Sequence, residues 1–218
     1  MAYVNTVLTQ FLKLVPKSEF NRLAQTHHIG QKFRKHSRFD QFVLLLTLQV
    51  TGRSSIRDIV ANFRVQATKF YHIGIRLMPR SSFSRINNEQ SWELYQDLFY
   101  LILKRCQPLS GNHNFRFHNK LYSMDASTID VCLSVFPWAK FRAKKGAVKL
   151  HAVLDHDGLI PAFIDITDGK THEVNMGRNV RLPEGSILTM DRGYIDYQWF
   201  EDLNLSLIHI SEPTRLRR

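Results

Sequence analysis

The chain has 218 residues, 44% of them hydrophobic, and a formal net charge of +11, which is enough apolar material for one sizeable core or two small ones. Its longest apolar run is Phe42–Val50, no basic-then-apolar leader opens it, and Cys106 and Cys132 lack paired spacing, so a membrane span, a signal peptide, a disulfide framework and a zinc site are not expected and a cytoplasmic protein is. The charge is uneven: residues 1–120 hold 18 Lys+Arg against 6 Asp+Glu, and residues 121–218 hold 12 against 13, so a polyanion-gripping module precedes a neutral, acid-bearing one.

The first half reads as helices. "NTVLTQFLKL" and "SEFNRLAQ" are short amphipathic pieces on either side of Pro16, with Asn5 and Ser18 as N-caps. "RFDQFVLLLTLQVTG" is a strongly apolar helix closed by Gly52, and in "SSIRDIVANF" Ser55 and Asp58 have capping-box spacing. After a break at Gly74–Pro79, "RSSFSRINNEQSWELYQDLFYLILKRC" carries a short polar helix and then a long amphipathic one. Its Trp92, Tyr95, Leu98, Phe99 and Ile102 recur at helical spacing, which predicts a buried stripe rather than a stacking platform.

The period changes near Lys120. "GNHNFRFHN" (Gly111–Asn119) is a polar linker, and "LYSMDASTIDVCL" follows as a run with the pattern of a buried strand. "AVKLHAVLDHDGLIPAFIDITDG" predicts two strands about an Asp157–Gly158 turn, "THEVNMGRNV" a short helix from Thr171, and Ile187–Met190 a strand. A helix begins near Tyr197. The expected class is α+β.

Two acids stand out. Asp125 interrupts the first strand, where an ionised carboxylate needs a partner, and Asp191 terminates the Ile187–Met190 strand. If these strands are neighbours, the carboxylates meet at one sheet edge and, at about 4 Å, repel by roughly 4 kcal/mol even at an effective dielectric near ~20. Such a pair calls for a shared proton or a cation. Hard divalent ions, Mg²⁺ above all, take carboxylate and phosphate oxygens together. With the basic first half, the pattern points to phosphodiester chemistry. Local readings stay open: Asp before Arg192–Gly193 suits a surface turn, and Asp125 with Ser127 and Thr128 suits a local cap. His151 and His172 read as structural donors rather than ligands.

"YSMDASTIDVCL", "WAKFRAKKGAVKLHAVLDHDGLIPAFIDITDGKTHE" and "ILTMDRGYIDYQWF" resemble the catalytic core of bacterial insertion-sequence transposases of the DDE type, in the insertion-sequence-4 group. "RFDQFVLLLTLQVTGRSSIRDIV" resembles the helical domain that precedes that core. The resemblance implies a helical DNA-binding domain over 1–110 and a partial ribonuclease-H-like mixed-sheet core over 111–204. Asp125 and Asp191 would be its first two catalytic acids and would hold two Mg²⁺ or Mn²⁺ ions. Transposon ends and target would be the duplex DNA partners of a homodimer on the bacterial nucleoid. Lys140, Arg142, Lys144, Lys145 and Lys149 would contact phosphates. "SSIRDIVANF" with "RSSFSRINNE" resembles a helix-turn-helix pair that turns Ser81, Ser82, Ser84, Arg85, Asn87 and Asn88 toward DNA, Arg and Asn being suited to guanine and adenine edges. The alternative is a non-catalytic DNA-binding fragment that competes for transposon ends.

The resemblance also calls for a third acid, a Glu on a later helix within a Tyr/Arg/Glu/Lys signature. Glu201 and Glu212 are the only glutamates after Asp191, Glu201 comes too early, and the set is expected to be incomplete in a truncated chain. "LSLIHISEPTR" (Leu205–Arg215) resembles a translated sequencing-library adapter built on a transposon mosaic end, so 205–218 are expected to be a non-native tail, poorly packed or an exposed strand or coil.

Overall fold

The computed structural model describes residues 6–70, 73–131, 139–142, 145–170, 176–205 and 209–211. They form two compact units that divide after Ile102.

The first unit is helical. Helix α1 (Val7–Lys13) is capped by Thr6, whose hydroxyl accepts from the Thr9 N–H at 3.2 Å; Asn5 lies outside the described residues. Helix α2 (Lys17–Thr26) starts before Ser18, contrary to expectation. Pro16 occupies the cap position without a side-chain bond, and its carbonyl accepts from Phe20 at 2.9 Å. The helix therefore begins without a side-chain cap, and Ser18 lies inside its first turn.

Helix α3 (Arg38–Val50) opens with a capping box that the sequence reading passed over. The Ser37 hydroxyl accepts from the Asp40 N–H at 3.1 Å, and the Asp40 carboxylate accepts from the Ser37 N–H at 2.7 Å. Helix α4 (Ile56–Val65) is capped by Ser55 as expected, but Asp58 turns outward to Arg53 at 2.6 Å instead of closing the box.

A four-residue turn, α5 (Ala67–Phe70), follows, and its Phe70 stacks on Phe63 with ring centroids 4.3 Å apart. Helices α6 (Arg80–Glu89) and α7 (Glu93–Cys106) complete the unit. The core comprises Phe20, Val43, Leu44, Ile59, Phe63, Phe83, Ile86 and Leu94, and α3 packs on α4 and α6. Trp92 corrects the predicted stripe: it precedes α7 and is 66% exposed, while Leu94 and Leu98, one turn apart, are the buried pair.

The second unit is built on a mixed sheet of β1 (Leu121–Val131), β2 (Lys140–Arg142), β3 (Lys145–Asp155), β4 (Ile160–Asp168), β5 (Ile187–Met190) and β6 (His209–Ser211). Strand β3 pairs antiparallel with β1, β2 and β4; β5 pairs parallel with β1 and β6. Tyr122, Met124, Val153, Leu188 and Met190 make one face, packed with Val180, Tyr194, Trp199 and Leu203. Trp199 and Leu203 come from helix α8 (Tyr197–Leu205). The β3–β4 turn carries Gly158 at φ +77°, as its Asp-Gly sequence predicts.

One expectation fails for β1. Its first residues are buried, but Asp125 and Ser127–Asp130 are exposed, so the acid sits where the strand emerges into solvent rather than in a buried strand core. The start of the helix predicted at Thr171 falls on 171–175, outside the described residues. Of the expected tail, Leu205 ends α8, and residues 209–211 form edge strand β6 in register with β5. No helix among the described residues is long and apolar enough to cross a membrane.

Candidate active site

The parallel pairing of β1 and β5 runs from Leu121 opposite Ile187 to Met124 opposite Met190. Asp125 follows Met124 within β1, and Asp191 follows Met190 just beyond the end of β5. Side chains alternate along a strand, so each acid follows a methionine that faces the core. They are the first positions of this strand pair to reach solvent, and both are exposed. Exposure changes the electrostatics. In a water-like dielectric two carboxylates at about 4 Å repel by only about 1 kcal/mol. Two acids exposed at this sheet edge therefore burden the fold little and stay open to a cation.

Local structure holds each acid. Asp125 stays in the β1–β3 ladder opposite Ala152, and its carboxylate accepts from the Ala126 N–H at 2.8 Å. Asp191 caps a 3₁₀ turn, Arg192–Tyr194, and accepts from the Gly193 N–H. The turn reading of Asp-Arg-Gly was thus correct, and it does not compete with the site: the cap fixes where the carboxylate leaves the strand.

The turn is anchored from below. Tyr194 is buried at 1% exposure, with its hydroxyl 3.5 Å from His151 Nδ1. His151 Nε2 lies 2.9 Å from the Thr167 hydroxyl, and His151 stands opposite Ala126, the neighbour of Asp125. This buried chain ties β3 and β4, beside β1, to the turn that carries Asp191. The structural role expected for His151 holds; Tyr194 was missed, its only signal being an aromatic after Gly193. His172 lies outside the described residues.

Farther along, Asp196 caps α8 by accepting from the Trp199 N–H at 2.9 Å and pairs with Arg178 at 2.8 Å. The bond from the Trp199 backbone outweighs the opposing effect of burial and, with the hydrogen bond and charge of Arg178, holds its carboxyl below the usual range. At the other end of the sheet Lys120 reaches Asp155 at 3.2 Å and Asp157 at 3.6 Å. Burial opposes the Lys120 charge, but the Asp155 hydrogen bond and the neighbouring charges outweigh it and raise its pKa.

Residues 117–216 match the transposase DDE domain. Residues 4–76 match a family described as a domain of unknown function (DUF4372). Over 63 residues the chain is 33% identical to a Sinorhizobium fredii protein named as a transposase, y4zB, covering 29% of this chain and 18% of that protein. Over 120 residues it is 26% identical to a Geobacillus stearothermophilus protein named as a transposase for insertion sequence element IS5377, covering 54% of this chain and 31% of that one. The chain thus spans less than a third of these curated relatives. A solved piggyBac transposase synaptic complex with hairpin DNA aligns over 96% of this chain and 49% of its own, at TM-score 0.43 and 13% identity.

The transposase-domain match encloses both acids and the basic residues between them. Lys149 is half-buried in β3, opposite Thr128 and Thr167. The backbones of Lys140, Arg142 and Lys145 lie where β2 meets β3, and Lys144 is outside the described residues. In the helical unit, Ser81, Arg85, Asn87 and Asn88 are exposed on α6, and Ser82 and Ser84 are half-buried. Arg85 pairs with Glu89 at 3.2 Å, and the Asn87 side-chain oxygen accepts from buried Gln41 at 3.3 Å. Asn87 therefore has a packing role toward α3 that its sequence position did not announce.

Proposed function

We propose that this chain is part of a DNA transposase, in which a duplex-binding helical unit accompanies a ribonuclease-H-like catalytic unit. The observation that carries the reading is the register of β1 and β5. It makes Asp125 and Asp191, far apart in sequence, the next residues after one cross-strand pair, within the segment that matches the transposase domain. The strand order β4-β3-β1-β5-β6, antiparallel on one side of β1 and parallel on the other, supports the ribonuclease-H-like assignment.

Two exposed carboxylates are hard oxygen donors with open coordination positions, and they fit Mg²⁺ or Mn²⁺. Asp125 and Asp191 would hold the ion. Bound there, it supplies Lewis-acid activation of a phosphodiester for in-line displacement by water or a DNA 3′-OH. The chain's own residues keep the acids in place: the Gly193 N–H fixes the Asp191 carboxylate, and Tyr194 on His151 fixes the turn beneath it. Lys140, Arg142, Lys144, Lys145 and Lys149 attract the phosphates. On α6, Arg85 and Asn88 read base edges in the duplex of transposon ends. In the whole protein, target DNA and a second copy complete the assembly.

A second reading has its own support. Among the described residues no group of three or more His, Cys, Asp or Glu gathers that could hold a metal ion. Two acids alone favour a chain that retains transposon-end DNA without cutting it. Mn²⁺ titration followed by electron paramagnetic resonance tests the site under either reading. Asp125→Asn and Asp191→Asn should each weaken Mn²⁺ binding by roughly tenfold or more, as loss of a ligand does. If neither variant differs from the wild type, the two acids are not a metal site.

A further inference from the structure

Between α2 and α3 the chain runs through "HHIGQKFRKHS" (His27–Ser37), and part of this segment lies against α6. The two enclose an open cleft of about 340 Å³, with Gln31, Lys32, Arg34, Lys35, His36 and Arg85 in its lining. A second hollow shares Gln31, Phe33 and Arg85 and continues to Gln90. The sequence reading of DNA contacts included Arg85 and none of the loop.

The loop is held in shape at several points. Gln90, just past α6, clips Ile29 with two bonds: its amide donates to the Ile29 carbonyl at 2.7 Å and its oxygen accepts from the Ile29 N–H at 3.2 Å. His28 Nε2 lies 3.1 Å from the Gln31 carbonyl. Nearer α3, the Arg76 guanidinium donates to the Lys35 carbonyl at 3.1 Å. Backbone fastened by side chains at both ends presents Lys32, Arg34 and Lys35 as a preorganised group, which lowers the ordering entropy of binding.

The charge in the cleft is one-sided. Among the described residues, the only acid in either lining is Glu89, paired to Arg85 at 3.2 Å, and the buried His36 Nδ1 has no hydrogen-bond partner. Like charges so close repel, and a polyanion relieves them while releasing its own condensed counterions.

We propose that this cleft seats the sugar–phosphate backbone of duplex DNA. Backbone contacts set register and orientation and leave sequence to other groups. The loop therefore sets where α6 lies on the duplex, giving a task to a segment inside the domain of unknown function. The inference rests on the duplex-binding reading above.

The test uses the full chain and a generic duplex, with affinity measured by fluorescence anisotropy across a salt series. The cleft variant carries Lys32→Ala, Arg34→Ala and Lys35→Ala. The control carries Lys13→Ala, Arg22→Ala and Lys104→Ala, three exposed residues elsewhere, for the same change in net charge. Each lost phosphate contact removes about 0.9 from the log–log salt slope, so the cleft variant should be shallower by roughly 2.7, and between about 50 and 200 mM salt its affinity should fall roughly fortyfold less than that of the wild type. The control should stay near the wild type. A separate readout is amine acetylation, from which the duplex should shield Lys32 and Lys35 but not Lys13. Cleft and control variants with equal slopes and equal acetylation would overturn the inference alone. Tighter binding of single-stranded than of duplex DNA in the cleft would also overturn it. A wild type that does not bind duplex at all would remove the duplex-binding reading as well.

Discussion

Gly158 shows how much a single side-chain atom can decide. It sits at φ +77° in the β3–β4 turn, and a Cβ there would clash with the Ser110 Cβ. Gly158→Ala therefore combines left-handed backbone strain of about 1 kcal/mol with a clash that one segment must move to relieve. Urea unfolding should show a loss of roughly 2–4 kcal/mol, and a loss below about 1 would mean that residue 110 gives way freely. The Asp-Gly dipeptide announced the turn. It did not announce Ser110, which precedes it by the whole of β1 and β3. The acids follow the same logic: Asp125 and Asp191 were recognisable as candidates, but that both directly follow one cross-strand pair depends on a register no single strand contains.

At the scale of the element, two features of α3 and its neighbours carry measurable consequences. Asp40, 3% exposed, caps α3 and also accepts from the Arg76 N–H at 3.0 Å. Asp40→Ala would orphan two backbone donors in a protected place and should lower stability by roughly 2–4 kcal/mol, whereas Asp40→Asn, which keeps an acceptor, should recover part of that loss. Equal losses from the two would show that the hydrogen bonds are not the cause.

Tyr95 packs beside Arg38, whose guanidinium carbon lies 5.3 Å from the ring centroid, and its hydroxyl is buried without a partner among the described residues. Burial pushes its phenol up to about 12, with Arg38 pulling weakly the other way. In the unfolded chain the phenol ionises near pH ~10, so between about pH 10 and 12 the unfolded state binds fewer protons than the folded one. Stability is intact below that window and falls as pH rises through it, by roughly 2–3 kcal/mol for this group. Tyr95→Phe should lose this part of the alkaline fall without lowering stability at neutral pH. Parallel pH profiles for variant and wild type would exclude Tyr95 as its source.

Element boundaries were readable where the cap was local. Ser55 was found because serine, two residues and a carboxylate form a recognisable string; Ser18 misled because the helix already starts at Lys17, directly after Pro16. Trp92 misled because helical spacing was extended one residue past the helix start.

For the molecule as a whole, charge and acids are partitioned: the surplus of positive charge lies in residues 1–120, and the two register-neighbour acids lie in the second unit. The purified chain should retard duplex DNA at low salt and release it as salt rises, because phosphate neutralisation dominates such binding. If Asp125 belongs to a working site, any nicking of supercoiled plasmid in Mg²⁺ or Mn²⁺ should disappear in Asp125→Ala, and nicking that survives the substitution would place the chemistry elsewhere.

The sequence by itself determined the division into a basic helical half and an acid-bearing sheet half, the Ile187–Met190 strand, the turn at Gly158 and the candidacy of Asp125 and Asp191. These follow from composition, periodicity and turn chemistry, which act over a few residues. Only the tertiary structure decided that β1 and β5 are parallel neighbours, that β1 leaves the core at Asp125, that Tyr194 and His151 pin the turn beneath Asp191, and that the 27–37 segment closes a basic cleft on α6. Each of these depends on contacts between segments distant in the chain. Such contacts are selected by burial and hydrogen-bond satisfaction of the folded whole, and no local pattern records them.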